Sequence, residues 1–211
     1  MSLEGVQRET LERVVSYSLT EGFYLAGGTA LAIRYSHRPS QGFDFFTYPS
    51  EDFRVSSMME KLRLLPAEVV SMREDTLIFF IEGVRFSFFK YSYPLLEELE
   101  LRKDLNISMA RDRDIACMKA VAIAQRGNKR DFFDLWFLMN KRGITLRGLL
   151  HDLCQKYSGY DPGIFLRALA FFEDAEKENN RYIDPFWDDI KRFMASLVKA
   201  EYRLSMRRPG P

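Results

Sequence analysis

The chain has 211 residues, with 31 Lys and Arg against 30 Asp and Glu for a net charge of +1, so global charge offers no general attraction to nucleic acid. Hydrophobic residues at 46% exclude a disordered chain, and no apolar run approaches the roughly eighteen residues of a membrane helix. The two cysteines, Cys117 and Cys154, lie in helical patterns and are expected to be reduced, in or near the core of a cytoplasmic protein.

In chain order, apolar residues at helical spacing run from Leu3 to Thr20, and Gly22 ends them. Phe23 to Ala26 reads as a short strand, Thr29 to Tyr35 as a helix and Gly42 to Thr47 as a second strand. Glu51 to Leu65 is an amphipathic helix stopped by Pro66. Strands follow at 67–73, 76–81 and 84–91, the last two joined by a tight turn at Glu82-Gly83. Tyr93-Pro94 is expected to end the sheet, with 107–109 as a short added edge strand. Beyond Asp112 the patterns are helical, over 113–125, 129–140, 145–157, 162–172 and 185–202, while the polar stretch 173–181 reads as a loop. Strands interleaved with helices, then helices alone, predict an α/β (α+β) fold. The expected parts are a mixed β-sheet flanked by helices over 1–110, a C-terminal helical bundle over 111–205 and a disordered tail at 206–211.

The stretch from Phe23 to Phe46 carries the most chemistry. An apolar strand stops at Gly27-Gly28, a helix opens at Thr29, and the next strand bears one acid, Asp44. Paired glycines let a backbone approach a ligand, and a Thr29 cap would leave a helix N-terminus facing a phosphate. Asp44 could then hold Mg²⁺ against that phosphate, and His37, in the intervening loop, could touch it. Gly-Gly pairs also end strands for purely structural reasons, so these residues alone leave both readings open.

The order Gly27-Gly28-Thr29-Ala30-Leu31, then Ser40, Asp44 and Phe45, resembles the AbiEii/AbiGii toxin family of nucleotidyltransferases, within the DNA polymerase β superfamily. Members read Gly-Gly-Thr-Ala-Leu followed by Ser-x-Asp-Leu-Asp-Phe. A second block, from Asp114 through Lys119, Arg126, Lys129, Arg130 and Asp131 to Asp134-Leu135, is similar to the family's later signature. The resemblance implies a nucleotidyltransferase-like sheet, an NTP substrate, Mg²⁺ or Mn²⁺, and transfer of a nucleotide to a tRNA-like RNA or to a protein hydroxyl. It also implies a toxin whose antitoxin is a separate chain. One departure stands out: the first acid of the Asp-x-Asp pair falls on Gly42, and the later strand where a third acid is expected offers Arg85, Ser87 and Phe89. Hence the alternative of a degenerate relative that binds a nucleotide or partner without catalysis.

Lys119 lies on a helix that otherwise buries Ile115, Met118, Ala122 and Ile123, so it either snorkels to water or points into a cleft. The resemblance implies the latter, with Lys119 on the triphosphate. Arg126, two turns along the same face, could share one anion with it. Asp131 and Asp134 share a face of the next helix, where Arg130 is placed to pair with Asp134. The resemblance makes Asp134 a residue that orients Lys119 or assists deprotonation, and orientation is favoured because a paired acid is a poor base. Between Arg111 and Arg142 eight basic residues face four acids, a local excess that suits an RNA backbone or a charged helix surface. His151 reads as a helix-surface residue, and the aromatics from Phe165 to Phe193 as core or a partner surface.

Overall fold

Alternation along Gly42–Thr47 settles which way the central strand faces. Phe43 and Phe45 are buried and the residues between them are half-buried, so one sheet face is apolar and the other carries Asp44. The computed structural model describes residues 5–206. The chain divides into two compact units, Met1–Arg111 and Asp112–Pro211.

In the first unit α1 (Gly5–Ser16) leads to β1 (Phe23–Ala26), α2 (Gly27–Tyr35), β2 (Gly42–Thr47) and α3 (Val55–Leu62). Then come β3 (Ala67–Arg73), β4 (Thr76–Ile81), β5 (Val84–Phe89), β6 (Glu100–Arg102) and β7 (Ile107–Met109). They form one seven-stranded mixed sheet in the order β3-β4-β5-β2-β1-β7-β6. β2 runs antiparallel to β1 and parallel to β5, and β1 runs parallel to β7. Glu82 and Gly83 both take positive φ, which lets the two-residue β4–β5 turn follow the strand twist. Across β2, β5 and β4 the rings of Phe43 and Phe86 stack at 5.1 Å, Phe45 and Phe88 at 5.0 Å, and Phe79 and Phe86 at 5.4 Å. These side chains are essentially inaccessible to water, and full burial of each is worth about 1.5–3 kcal/mol. Slipping the register by one residue would put Asp44 into that layer, so the ladder fixes the acid on the opposite face.

The sheet does not end at Tyr93-Pro94. β6 adds the edge strand beyond it, and β7 lies inside the sheet between β1 and β6. α1 and α3 are shorter than the spacing suggested, and α2 starts two residues earlier, at Gly27.

The second unit is helical: α4 (Asp112–Arg126), α5 (Lys129–Arg142), α6 (Leu146–Lys156), α7 (Pro162–Ala168), α8 (Glu173–Glu176) and α9 (Trp187–Met206). Thr145 caps α6 through the Gly148 N–H at 3.1 Å, and Asp161 caps α7 through the Gly163 N–H at 2.8 Å. The 173–181 stretch expected as a loop contains α8, and a 3₁₀ turn at Asp184–Phe186 precedes α9. Phe132, Phe172 and Trp187 pack with ring centroids 5.4–6.0 Å apart; Phe132 and Trp187 are buried and Phe172 half-buried, whereas Phe171 and Phe186 are exposed. Of the expected tail at 206–211, Met206 ends α9 and residues 207–211 lie outside the described residues.

Candidate functional site

The polar face of the sheet brings Ala26, Asp44 and Ser87 into one row across β1, β2 and β5. Gly27 follows at once, in the left-handed region with φ +70°, and a Cβ there would lie 3.5 Å from Asp44 Oδ2. Asp44 therefore stands against the start of α2, as the phosphate-turn reading requires. Its carboxylate is half-buried and makes no hydrogen bond or ion pair among the described residues. Ser87 beside it is fully buried, and its Oγ has no hydrogen-bond partner. Arg85, one step along the same face and opposite Gly42, is exposed and holds no ion pair among the described residues.

Thr29 does not cap α2. The helix begins at Gly27 with Ala26 at the cap position and no side-chain cap, which puts Thr29 inside the first turn. Its buried hydroxyl instead meets Ser40 Oγ at 2.6 Å and donates to the Gly42 carbonyl, tying the 36–41 loop to the helix start. Gly28 is buried in the same turn, and half-buried His37 lies in that loop.

Gly42 has a local steric cause. A Cβ at this position would lie 2.7 Å from the Arg85 carbonyl oxygen and 3.1 Å from Arg85 Cβ. The parallel β2–β5 pair closes too tightly there for any side chain, so Gly42→Asp would push strands apart rather than restore a ligand. Among the described residues no three His, Cys, Asp or Glu side chains gather to hold a metal ion.

The second unit holds a different charge cluster. Lys119 is buried, with Nζ 2.8 Å from Asp131 Oδ1 and 2.7 Å from Asp134 Oδ2. Arg126 Nε reaches the other Asp131 oxygen at 2.8 Å. Lys119 and Arg126 do share one anion, and in this structure it is Asp131. Burial raises the Asp131 pKa, but Lys119 and Arg126 outweigh it and hold the carboxyl below its usual value. Asp134 pairs with Lys119 and not with Arg130, and it is wholly buried. Lys119 thus does not snorkel, while the Arg126 side chain stays 60% exposed.

Much of the basic excess on these helices is paired: Arg113 with Asp152 at 2.6 Å, Lys129 with Asp184 at 2.8 Å and Arg142 with Asp112 at 3.4 Å. Lys156 and Asp114 make a buried pair at 2.6 Å that no local spacing announced. Cys117 is buried, and burial pushes its thiol up to about 12; Cys154, contrary to expectation, is exposed on α6, as is His151.

Residues 82–203 match the family described as nucleotidyl transferase AbiEii toxin, type IV TA system, which is more than half of the chain. The protein belongs to the AbiEii nucleotidyltransferase toxin family. This AbiEii-family chain is 50% identical over 198 residues to an uncharacterized protein of Aquifex aeolicus (strain VF5), covering 93% of the chain and 96% of that relative. Its fold is similar to a candidate nucleotidyltransferase of H. pylori, with a TM-score of 0.54 at 14% identity, over 97% of this chain and 99% of the other. It is also similar to MenT4, a nucleotidyltransferase toxin of Mycobacterium tuberculosis H37Rv, with a TM-score of 0.50 at 14% identity, over 93% of this chain and 85% of the other. The AbiEii-family fold expected from the residues is therefore present. No helix among the described residues is long and apolar enough to cross a membrane. A groove of about 640 Å³ between α3 and the β3–β4 hairpin, lined by Val55, Met59 and Met72, contains none of the expected site residues.

Proposed function

We propose that this AbiEii-family protein binds an NTP with one divalent cation, Mg²⁺ or Mn²⁺, at the Gly27-Gly28-Thr29 turn and Asp44. In the cytoplasm it transfers the nucleotide to a tRNA-like RNA or to a protein hydroxyl, acting as the toxin of a pair whose antitoxin is a separate chain. The observation that carries this reading is the unpaired, half-buried Asp44 carboxylate against the first turn of α2. That turn presents N–H groups and a positive dipole end to an anion. A phosphate arriving there would meet the Asp44 charge, and a cation between them removes the repulsion. The donor set fits one cation: a single carboxylate, an unpartnered hydroxyl at Ser87 and a Gly42 closed to any side chain.

In the reaction the acceptor hydroxyl oxygen bonds to the α-phosphorus, the bond to the bridging oxygen of the β-phosphate breaks, pyrophosphate leaves, and the hydroxyl proton passes to solvent. When bound, the cation supplies charge neutralisation on the phosphates. The chain's own contributions are distinct. The α2 N–H groups hold a phosphate oxygen, and the Thr29–Ser40–Gly42 contacts fix the loop that carries His37. Within the helical unit, Arg126 is the exposed cation of its cluster and is held by Asp131. Asp134 keeps Lys119 oriented, and its full burial against that ammonium suits orientation rather than proton removal.

The test is incubation with each labelled NTP, Mg²⁺ or Mn²⁺, and total tRNA. Label on RNA or protein in the wild type and none in Asp44→Asn is the expected outcome. Label that persists in Asp44→Asn contradicts the assignment of Asp44. A second reading, binding without catalysis, is favoured by the lone carboxylate and by the closed Gly42 position. It gains if neither protein transfers label while the wild type still binds NTP.

A further inference from the structure

We infer that the outer edge of β3, with the neighbouring face of α3, is the docking surface for a second copy of this chain, the two β3 strands pairing antiparallel about a two-fold axis at Val70. β4 and β5 separate this edge from β2 and Asp44, so the pairing is independent of the nucleotide reading.

The two edges of the sheet are built differently. β6 closes one side with three residues, Glu100 and Arg102 among them, a short charged edge that offers little to another strand. β3 ends the other side with seven residues, about 24 Å of strand, and an edge of that length leaves a row of N–H and C=O groups to water. Its middle is apolar: Val70 is 60% and Met72 59% exposed, and Val69 is exposed beside them. Leu64, just past α3, is exposed as well, and Val55 and Met59 on α3 line the groove of about 640 Å³ against Met72. Single exposed apolar side chains are ordinary, whereas these gather on one strand edge and the groove beside it.

Charge selects the occupant. Glu68 and Arg73 stand toward opposite ends of β3, on the face shared with Phe80 and Thr76, and neither makes an ion pair among the described residues. An antiparallel copy turned about Val70 brings Glu68 of each chain diagonally beside Arg73 of the other, within reach of long side chains. In-register parallel pairing would set like charges side by side. Around the groove Glu60 and Glu74 are interspersed with Arg63, again both signs and none paired among the described residues. Such a mixed rim suits neither a polyanion nor an anionic lipid surface, and it complements its own copy. The register shift at Val70 leaves that residue without a partner on β4. A bulge of this kind bends an edge, and two edges related by a two-fold axis at the bulge bend alike. A stable interface takes about 800 Å² from each partner, more than a strand edge alone supplies, so the α3 faces join it. The same two-fold sets both α3 helices on one side of the joined sheet, where the two grooves adjoin.

Sedimentation velocity of the full chain from about 1 to 100 μM tests this, with thermal unfolding of each variant alongside. The wild type should pass from monomer to dimer within that range. Val70→Lys, a change at an exposed position, should weaken dimerisation by more than about tenfold. Glu68→Arg and Arg73→Glu should each weaken it by about three- to tenfold. Mixing these two variants should restore a dimer, because two cations of one chain then face two anions of the other. A wild type that stays monomeric throughout overturns the inference and leaves the edge to a strand of a different protein or to none. A dimer that Val70→Lys and both charge variants leave intact uses another surface and overturns it equally. Should Val70→Lys not fold, the mixing experiment decides.

Discussion

The two charge clusters of this protein are built in opposite ways. On the sheet, Asp44 and the Ser87 hydroxyl have no hydrogen-bond or ion-pair partner among the described residues. Among the helices, Lys119 and Arg126 are matched by Asp131 and Asp134, two cations against two anions. The first arrangement leaves a buried hydroxyl without a hydrogen-bond partner among the described residues. The second is balanced already, and removing Lys119 takes a buried ammonium from two buried carboxylates at once. The contrast separates a row of unpartnered polar groups on the sheet from a cluster that joins α4 to α5 and keeps one exposed arginine in position.

The largest effect should come from breaking the balanced cluster. Lys119→Met leaves Asp134 and Asp131 facing an apolar side chain and should cost about 3–5 kcal/mol, read by urea unfolding of the helical unit. Asp44→Asn, by contrast, should change stability by no more than about 0.5 kcal/mol, because no partner is lost. Equal effects would erase the distinction between the clusters.

Gly42→Asp comes next. It overpacks the β2–β5 pair against the Arg85 carbonyl and should destabilise the sheet by about 1–3 kcal/mol. A fully stable Gly42→Asp variant would mean that the strands separate more easily than their register implies.

Acid should weaken the helical cluster. The Asp131 carboxyl lies below its ordinary value because Lys119 and Arg126 together outweigh the effect of burial. A depressed carboxylate lends stability that is complete above its unfolded value of about 3.9 and is lost as pH falls through its lower folded value. Stability should thus drop in strong acid, and Asp131→Asn should flatten that part of the profile.

The smallest effect concerns the thiols. Cys154 is exposed, whereas Cys117 is buried with its thiol pushed up to about 12, so a thiol reagent at neutral pH should label one site in the folded chain. Rapid labelling of both would show that the interior of the helical unit opens readily.

The sequence carried the sheet well where aromatic alternation is strong. β1, β2 and the Glu82-Gly83 hairpin stand where periodicity put them, since Phe43, Phe45, Phe86 and Phe88 can point only one way. β6 was illegible because Glu100–Arg102 is three residues long and shows no apolar alternation; pairing with β7 makes it a strand. Thr29 looked like a cap because it is the first capping residue after the glycines, yet positive φ at Gly27 lets the chain turn into the helix sooner. At the site, the position of Asp44 beside the turn could be read from order along the chain. The closure at Gly42 and the idle Ser87 hydroxyl could not, because both depend on the β2–β5 register. The partners of Lys119 lie on the following helix, so only packing between α4 and α5 reveals them.

The central claim is that Asp44 is the acid that holds a nucleotide-bound cation. Calorimetric titration of each NTP with Mg²⁺ into the wild type and Asp44→Asn tests it most directly. The account expects measurable binding of at least one NTP by the wild type, dependent on Mg²⁺, and a loss of more than about tenfold in affinity in a folded Asp44→Asn variant. Equal, Mg²⁺-independent affinities in the two proteins would contradict it.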